Sequence, residues 1–190
     1  SAFQNDTGCA LELVASGDAG ELTNKLVLTK DAPLGDAFFG VDNSFASRIL
    51  DEGVLDTSAT VDLPEGADQY VVDNTPALAP IDFGEVCVNV DTAWFTEHGQ
   101  TPPAAFEDLT GADYKDLFVA INPSTSSTGL AFLLATVAHF GTAETGGFAD
   151  YWKQLAAGGA RIAEDWTTAY ETDFSAGGKG TYPIVVSYAS

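Results

Sequence analysis

The sequence predicts an α/β fold with mainly parallel strand pairing, and two observations carry that expectation. Short apolar runs rich in β-branched residues alternate along the chain with segments of helical spacing. One such run, Leu117-Phe118-Val119-Ala120-Ile121, leads through the hydroxyl-rich segment Asn122-Pro123-Ser124-Thr125-Ser126-Ser127-Thr128-Gly129 into the apolar stretch from Leu130 to Ala138. A strand's carboxyl end turning into a helix is where open α/β sheets bind ligands. The free N–H groups of the helix start and the Ser and Thr hydroxyls could hold a phosphate, carboxylate or hydroxyl. Ordinary N-capping accounts for the same residues. No Gly-x-x-x-x-Gly-Lys pattern accompanies them, so a nucleotide P-loop is unsupported.

Taken in order, residues 10–15 read as a strand and 19–28 as a short helix with Leu22 and Leu26 on one side. Residues 36–42 (Asp-Ala-Phe-Phe-Gly-Val-Asp) form a second expected strand, and Phe45, Ile49 and Leu50 repeat at helical spacing up to a stop at Gly53. Residues 56–80 are rich in Asp, Pro, Gly, Thr and Ala and read as loop with one strand at 69–72. A strand over 86–90 and a helix over 92–98 follow, and Pro102-Pro103 opens a segment packed by Phe106, Leu109, Tyr114 and Leu117. After the hydroxyl-rich turn and its helix come a helix over 148–157, a short strand at 161–162, a helix over 166–174 and a final strand over 184–188.

Charge and composition bound the function. At 190 residues and 45% hydrophobic, the chain can bury a substantial core. Seven basic against 28 acidic residues give a net charge of -21, which repels nucleic acid and anionic lipid and favours a cationic ligand. A solvated acidic surface suited to a salty or acidic habitat explains the same imbalance. No apolar run reaches the length of a membrane span, no basic-then-apolar signal opens the chain, and the absence of Met suggests that Ser1 follows a cleavage or cloning boundary. Cys9 and Cys87 lie in apolar runs, so buried free thiols are expected, with a Cys9–Cys87 bridge as the alternative.

Catalysis is not indicated. His98 and His139 stand near the ends of expected helices, where they complement the helix dipole, and neither has metal-ligand spacing. No Gly-x-Ser-x-Gly elbow occurs, and neither a metal nor a cofactor is implied. Aromatics are more suggestive. Trp166 follows Glu164-Asp165 with Tyr170 four residues on, and Tyr188 ends the last strand; such faces suit either a flat cationic ring or core packing.

Four segments carry a resemblance. Residues 36–48 (containing Gly40-Val41-Asp42-Asn43-Ser44), 80–91 (Pro-Ile-Asp-Phe-Gly-Glu-Val-Cys-Val-Asn-Val-Asp), 122–130 and 185–190 (Val-Val-Ser-Tyr-Ala-Ser) resemble the thiamine-binding proteins of bacterial and archaeal ABC importers, in that family's order and over nearly the whole chain. Residues 102–116 resemble a segment shared by the wider iron, thiamine and polyamine group. The resemblance implies a periplasmic-binding-protein fold of type II, two α/β lobes closing on one ligand. Residues 1–82 would form a partial first lobe, 83–187 a nearly complete second lobe, and 188–190 the start of the return crossover.

The resemblance also implies roles. Asp18 and Ala19 match a loop that contacts the phosphate or hydroxyethyl end of the ligand, and Ser126 and Ser127 match a hydroxyl pair at the same end. Trp166, with Tyr170 beside it, matches the aromatic that stacks on a thiamine ring, and Tyr188 matches the tyrosine of the second crossover. Asp82 and Phe83 lie at the first crossover, where the family has Asp-Tyr; Thr128 replaces a usual Pro and Ser124 a usual basic residue, which argues against strong phosphate binding.

The function so implied is capture of thiamine or its phosphates outside the cytoplasmic membrane, in the periplasm or on a lipid anchor, and delivery to an ABC permease and its ATPase. No bond is broken. The alternatives are an iron or small-anion carrier, whose usual adjacent tyrosine pair is absent, and a small-molecule hydrolase or transferase on a similar sheet. The resemblance further implies segments before Phe3 and after Ser190 that carry additional contacts. Residues 1–190 alone are then expected to bind thiamine weakly and to expose a first-lobe sheet edge open to dimerisation or strand exchange.

Overall fold

A computed structural model describes residues 2–58 and 61–189. Its centre is a four-stranded sheet in the order β1-β4-β2-β3, where β1 is Val86–Val90, β2 Phe118–Ile121, β3 Arg161–Ala163 and β4 Ile184–Tyr188. The pairs β2–β4 and β2–β3 are parallel, whereas β1 runs antiparallel to β4 with Val86 opposite Tyr188 and Val90 opposite Ile184. Pairing is thus mainly parallel, as expected, with one antiparallel edge. β1, β2 and β4 coincide with apolar runs in the sequence, and β3 with the short segment expected at 161–162.

Both faces of the sheet are covered, which is why β2 and β4 read as continuous apolar runs rather than alternating ones. Phe118, Ala120, Ile184 and Val186 point to one side, into a core with Phe95, Leu109, Phe132, Tyr151 and Leu155. Val119, Ile121 and Val185 point to the other, with Ala163, Ala169 and Phe174. The first core is roofed by α4 (Thr92–His98), α5 (Ser127–Phe140) and α6 (Phe148–Ala157). Asp91 caps α4 by accepting from the Trp94 N–H at 3.0 Å, and Gly99 ends it in the left-handed region. Both histidines sit in the last turns of helices, His98 in α4 and His139 in α5. The second core is closed by a π-helical turn, Thr168–Asp173, in place of the regular helix expected over 166–174.

Before Val86 the chain is organised differently. It contains α1 (Ala2–Thr7), α2 (Ala19–Leu28) and α3 (Ala46–Asp51), with α2 packed on α3, and two 3-10 turns at Ala67–Tyr70 and Val72–Asn74. The sequence gives no cue to α1. The strands expected at 10–15, 36–42 and 69–72 do not form: the first two are unpaired coil, and the third lies across the 3-10 turns. A strand is completed by hydrogen bonds from a neighbour, and among the described residues no pairing partner lies beside these segments. The sheet edge expected in this region is therefore replaced by coil bearing exposed apolar side chains, among them Leu13, Phe39, Ile81 and Phe83.

The cysteines also differ from expectation. Cys9 and Cys87 are both exposed free thiols. Cys9 falls in the unpaired coil, and Cys87 points outward from the edge strand β1, where an apolar run no longer guarantees burial.

Candidate functional site

The hydroxyl-rich turn sits at the carboxyl end of β2, as its sequence suggests, and most of its polar groups are committed to one another. The Asn122 Oδ1 accepts from the Ser124 N–H at 3.0 Å and the Ser124 hydroxyl at 2.8 Å, while its Nδ2 donates to Glu164 at 3.1 Å. The Thr125 hydroxyl donates to the Glu164 carbonyl, 2.5 Å away. Ser126 caps α5 in extended conformation, but its buried Oγ lies 3.1 Å from the Thr128 hydroxyl rather than on a backbone N–H. Ser127, the first residue of α5, is half-buried, and its hydroxyl faces the Tyr188 phenol closely enough to lower that group's pKa.

The loop bearing Asp18 meets this turn from across the chain. The Gly20 N–H, in the first turn of α2, donates to the Thr125 carbonyl at 2.9 Å. A Cβ at Gly20 would lie 2.4 Å from the Ser124 carbonyl oxygen, so only glycine permits this approach. Ala19 is buried beside it. The Asp18 Oδ2 accepts from the Trp166 backbone N–H at 2.8 Å, joining positions 148 residues apart.

Trp166 is fixed at three points. Besides the bond to Asp18, its indole Nε1 donates to the Ser187 hydroxyl on β4 at 3.0 Å, and one face stacks on Tyr170 with centroids 5.0 Å apart and planes 9° from parallel. Next to Ser187, Tyr188 has a phenol pKa raised above its ordinary value, first by burial and then by the carboxylates of Asp42, Asp18 and Asp82; Ser127 opposes the shift. The residue as a whole remains 42% exposed, so the desolvation concerns its hydroxyl end rather than its ring.

Asp18, Asp42, Ser127, Trp166, Ser187 and Tyr188 thus form one neighbourhood, with Asp82 adding negative charge from the β1 approach. Among the described residues, no salt bridge involves Asp18, Asp42 or Asp82. Phe83 does not join: it is 76% exposed and stacks on Tyr70 with centroids 5.2 Å apart. Sequence reasoning singled out neither Asp42 nor Ser187 as a ligand contact. Their only local signal is position, at the end of an apolar run and one residue before Tyr188. Among the described residues no cluster of three or more His, Cys, Asp or Glu could hold a metal, and no helix is long and apolar enough to cross a membrane.

This polar, aromatic and acidic neighbourhood lies at the carboxyl end of a parallel strand pair, on a mixed sheet flanked by helices, the place where open α/β sheets bind small molecules. The profile of the family described as bacterial extracellular solute-binding protein matches residues 33–190, and the chain belongs to that family. The family's description is one of extracellular solute binding. It is 25% identical over its full length to the thiamine-binding periplasmic protein of Escherichia coli K12, of which it covers 54%. A solved periplasmic thiamin binding protein superposes with a TM-score of 0.78 at 25% identity, over 98% of this chain and 54% of that one. The periplasmic binding protein AfuA from Actinobacillus pleuropneumoniae, solved with fructose-6-phosphate, gives a TM-score of 0.75 at 17% identity over 98% of this chain and 57% of its own. The chain spans about half the length of the curated relatives it matches. A fold shared with a protein solved with a sugar phosphate does not choose the ligand; that choice rests on the site.

Proposed function

We propose that this chain takes part in capturing thiamine outside the cytoplasmic membrane and in handing it to an ABC permease with its ATPase. The observation that carries the reading is Trp166: its backbone is tied to Asp18, its indole N–H to Ser187, and the carboxylates of Asp18, Asp42 and Asp82 gather around the adjacent Tyr188. A flat ring with a permanent positive charge fits a fixed indole face in a negative field. The same carboxylates repel a phosphate, so thiamine is favoured over its mono- and diphosphate. Ser127 and Tyr188 are the hydroxyls suited to the ligand's polar end, whereas Ser126 is committed to Thr128. The low-identity likeness to thiamine-binding periplasmic proteins supports this choice of ligand.

Equilibrium dialysis of labelled thiamine against the wild type and Trp166→Leu tests it. A desolvated cation over an indole face gains on the order of 2 kcal/mol, so the variant is expected to bind about 30-fold more weakly. Equal affinity of wild type and variant, or tighter binding of thiamine diphosphate than of thiamine, overturns the reading.

A further inference from the structure

Tyr170 is expected from the sequence to contact the ligand, yet its surroundings give it another task. One side of its ring lies against Trp166, and the Phe174 ring is tilted against it with centroids 5.4 Å apart. The glycine-rich strap after Phe174 closes on it as well. A Cβ built on Gly177 would lie 2.4 Å from the Tyr170 carbonyl oxygen and 2.9 Å from both Cδ1 and Cε1 of its ring, distances real side chains do not reach. The strap has little freedom to retreat. Gly178 donates to the Phe174 carbonyl at 2.9 Å, Ser175 donates to the Tyr182 carbonyl at 2.9 Å, and Tyr182 donates back to the Asp173 carbonyl at 3.1 Å. The Ser175 hydroxyl is anchored to Asp91 at the end of β1. Tyr170 itself is carried on the π-helical turn, a departure from regular helix that re-aims a side chain.

We propose that Tyr170 is a positioning residue rather than a ligand contact, and that Gly177 presses its ring into a backing plate that holds the Trp166 indole in place. Three partners then fix the indole, at its backbone, at its Nε1 and on one face, and a cationic ring would stack on the other. The inference rests on the reading of Trp166 as the ligand's stacking partner. Without the plate the indole gains rotational freedom, and a ligand must order it on binding.

Three variants test this: Tyr170→Phe, Tyr170→Leu and Gly177→Ala, each labelled with fluorotryptophan so that the 19F resonances of Trp94, Trp152 and Trp166 are followed separately, Trp166 being assigned by its loss in Trp166→Leu. Tyr170→Phe keeps the ring and is expected to leave both the Trp166 resonance and thiamine affinity unchanged. Tyr170→Leu is expected to shift or broaden the Trp166 resonance alone and to weaken thiamine about three- to tenfold, the scale of one aromatic pair. Gly177→Ala is expected to move the same resonance. An unmoved Trp166 resonance in Tyr170→Leu overturns the positioning role, whether or not thiamine binds. A loss of affinity in Tyr170→Phe equal to that in Tyr170→Leu shows that the hydroxyl touches the ligand, and also overturns it. Failure of the wild type to bind thiamine removes the function proposed above, while the 19F comparison still decides the geometry.

Discussion

The residues before Val86 leave far more of their large apolar side chains in solvent than those after it. From Val86 onward, runs such as Ile184-Val185-Val186 lie between two cores and are fully buried. Before it, Leu13 is 85% exposed, Leu28 84% and Phe39 70%, although the sequence around them is no less apolar. The difference teaches that an apolar run specifies a strand only when neighbours supply hydrogen bonds along its edges and packing over its faces. Among the described residues of the first region only α2 and α3 bury apolar side chains, Leu22, Ala46 and Ile49 among them, and polar ties join it to the sheet: the Gly20 N–H on Thr125, and Asp18 on Trp166.

The sharpest test of that contrast compares two phenylalanines. Phe118 is 2% exposed at the centre of the sheet, and Phe118→Ala is expected to cost about 3–5 kcal/mol through lost burial and the cavity left behind. Phe39→Ala, at a site in solvent, is expected to change stability by no more than about 0.5 kcal/mol. Denaturant melts of both variants decide the matter, and similar losses would show that Phe39 is packed against a core in solution.

Asp18 is the next place to press. Its carboxylate accepts the Trp166 N–H at 2.8 Å, a charge-assisted bond worth about 1.5–3 kcal/mol when partly shielded. Asp18→Ala is expected to speed hydrogen exchange at the Trp166 amide and to loosen α2 from the turn at Ser124 and Thr125, while amides in β2 and β4 keep their protection. Exchange that stays slow at Trp166 would mean that packing, and not this tie, orders the segment.

How much of this was legible follows the same division. β1, β2 and β4, α4 to α6 and the turn at the end of β2 read directly from apolar runs, helical spacing and a hydroxyl-rich junction, and β3 from the short segment at 161–162. The strands expected at 10–15 and 36–42 have the same local appearance and fail for want of partners, which no local pattern reports. At the site, residue types announced an aromatic, acidic, hydroxyl-rich place, and the resemblance named Asp18, Ala19, Asp82, Ser127, Trp166 and Tyr188, which lie together, but also Phe83, which lies in solvent on Tyr70, and Ser126, whose hydroxyl is committed to Thr128. The links between them were invisible. Asp18 and Trp166 are separated by 148 positions, and nothing in Ser126-Ser127-Thr128 tells that the first hydroxyl turns inward to the third while the second faces Tyr188.

That last pair yields a smaller and more local prediction. Ser126→Ala removes a buried hydroxyl contact with Thr128 and is expected to cost about 1 kcal/mol of stability with little effect on ligand affinity. Ser127→Ala is expected to do the reverse, leaving the melting temperature nearly unchanged and weakening thiamine a few-fold. Calorimetry and dialysis on the two variants separate them. Matching profiles would return the serines to a single shared role.

The smallest expected effect concerns the tie that anchors the glycine strap to the sheet. Asp91 accepts from the Ser175 hydroxyl at 2.5 Å and from the Trp94 N–H at 3.0 Å, and these bonds, Ser175 first, hold its pKa below the ordinary carboxylate value. Because the folded-state pKa is depressed, the stabilisation is complete above the unfolded-state pKa of about 3.9 and is lost as pH falls through the folded value. Ser175→Ala weakens the preference for the charged form, so its folded pKa moves back towards the ordinary value. At pH 7 the variant is expected to be less stable by about 1 kcal/mol, at the low end for a bond to a charged group because Asp91 is only half-buried. As pH falls through the depressed folded-state value Asp91 becomes protonated in both proteins, and the gap is expected to narrow. Urea melts of the two proteins in a series from pH 7 down through the acid range, continued until the wild type's own stability stops changing with Asp91 protonation, read this directly. A gap that holds constant over that range would mean that Ser175 stabilises the strap through packing, with no part played by the charge on Asp91.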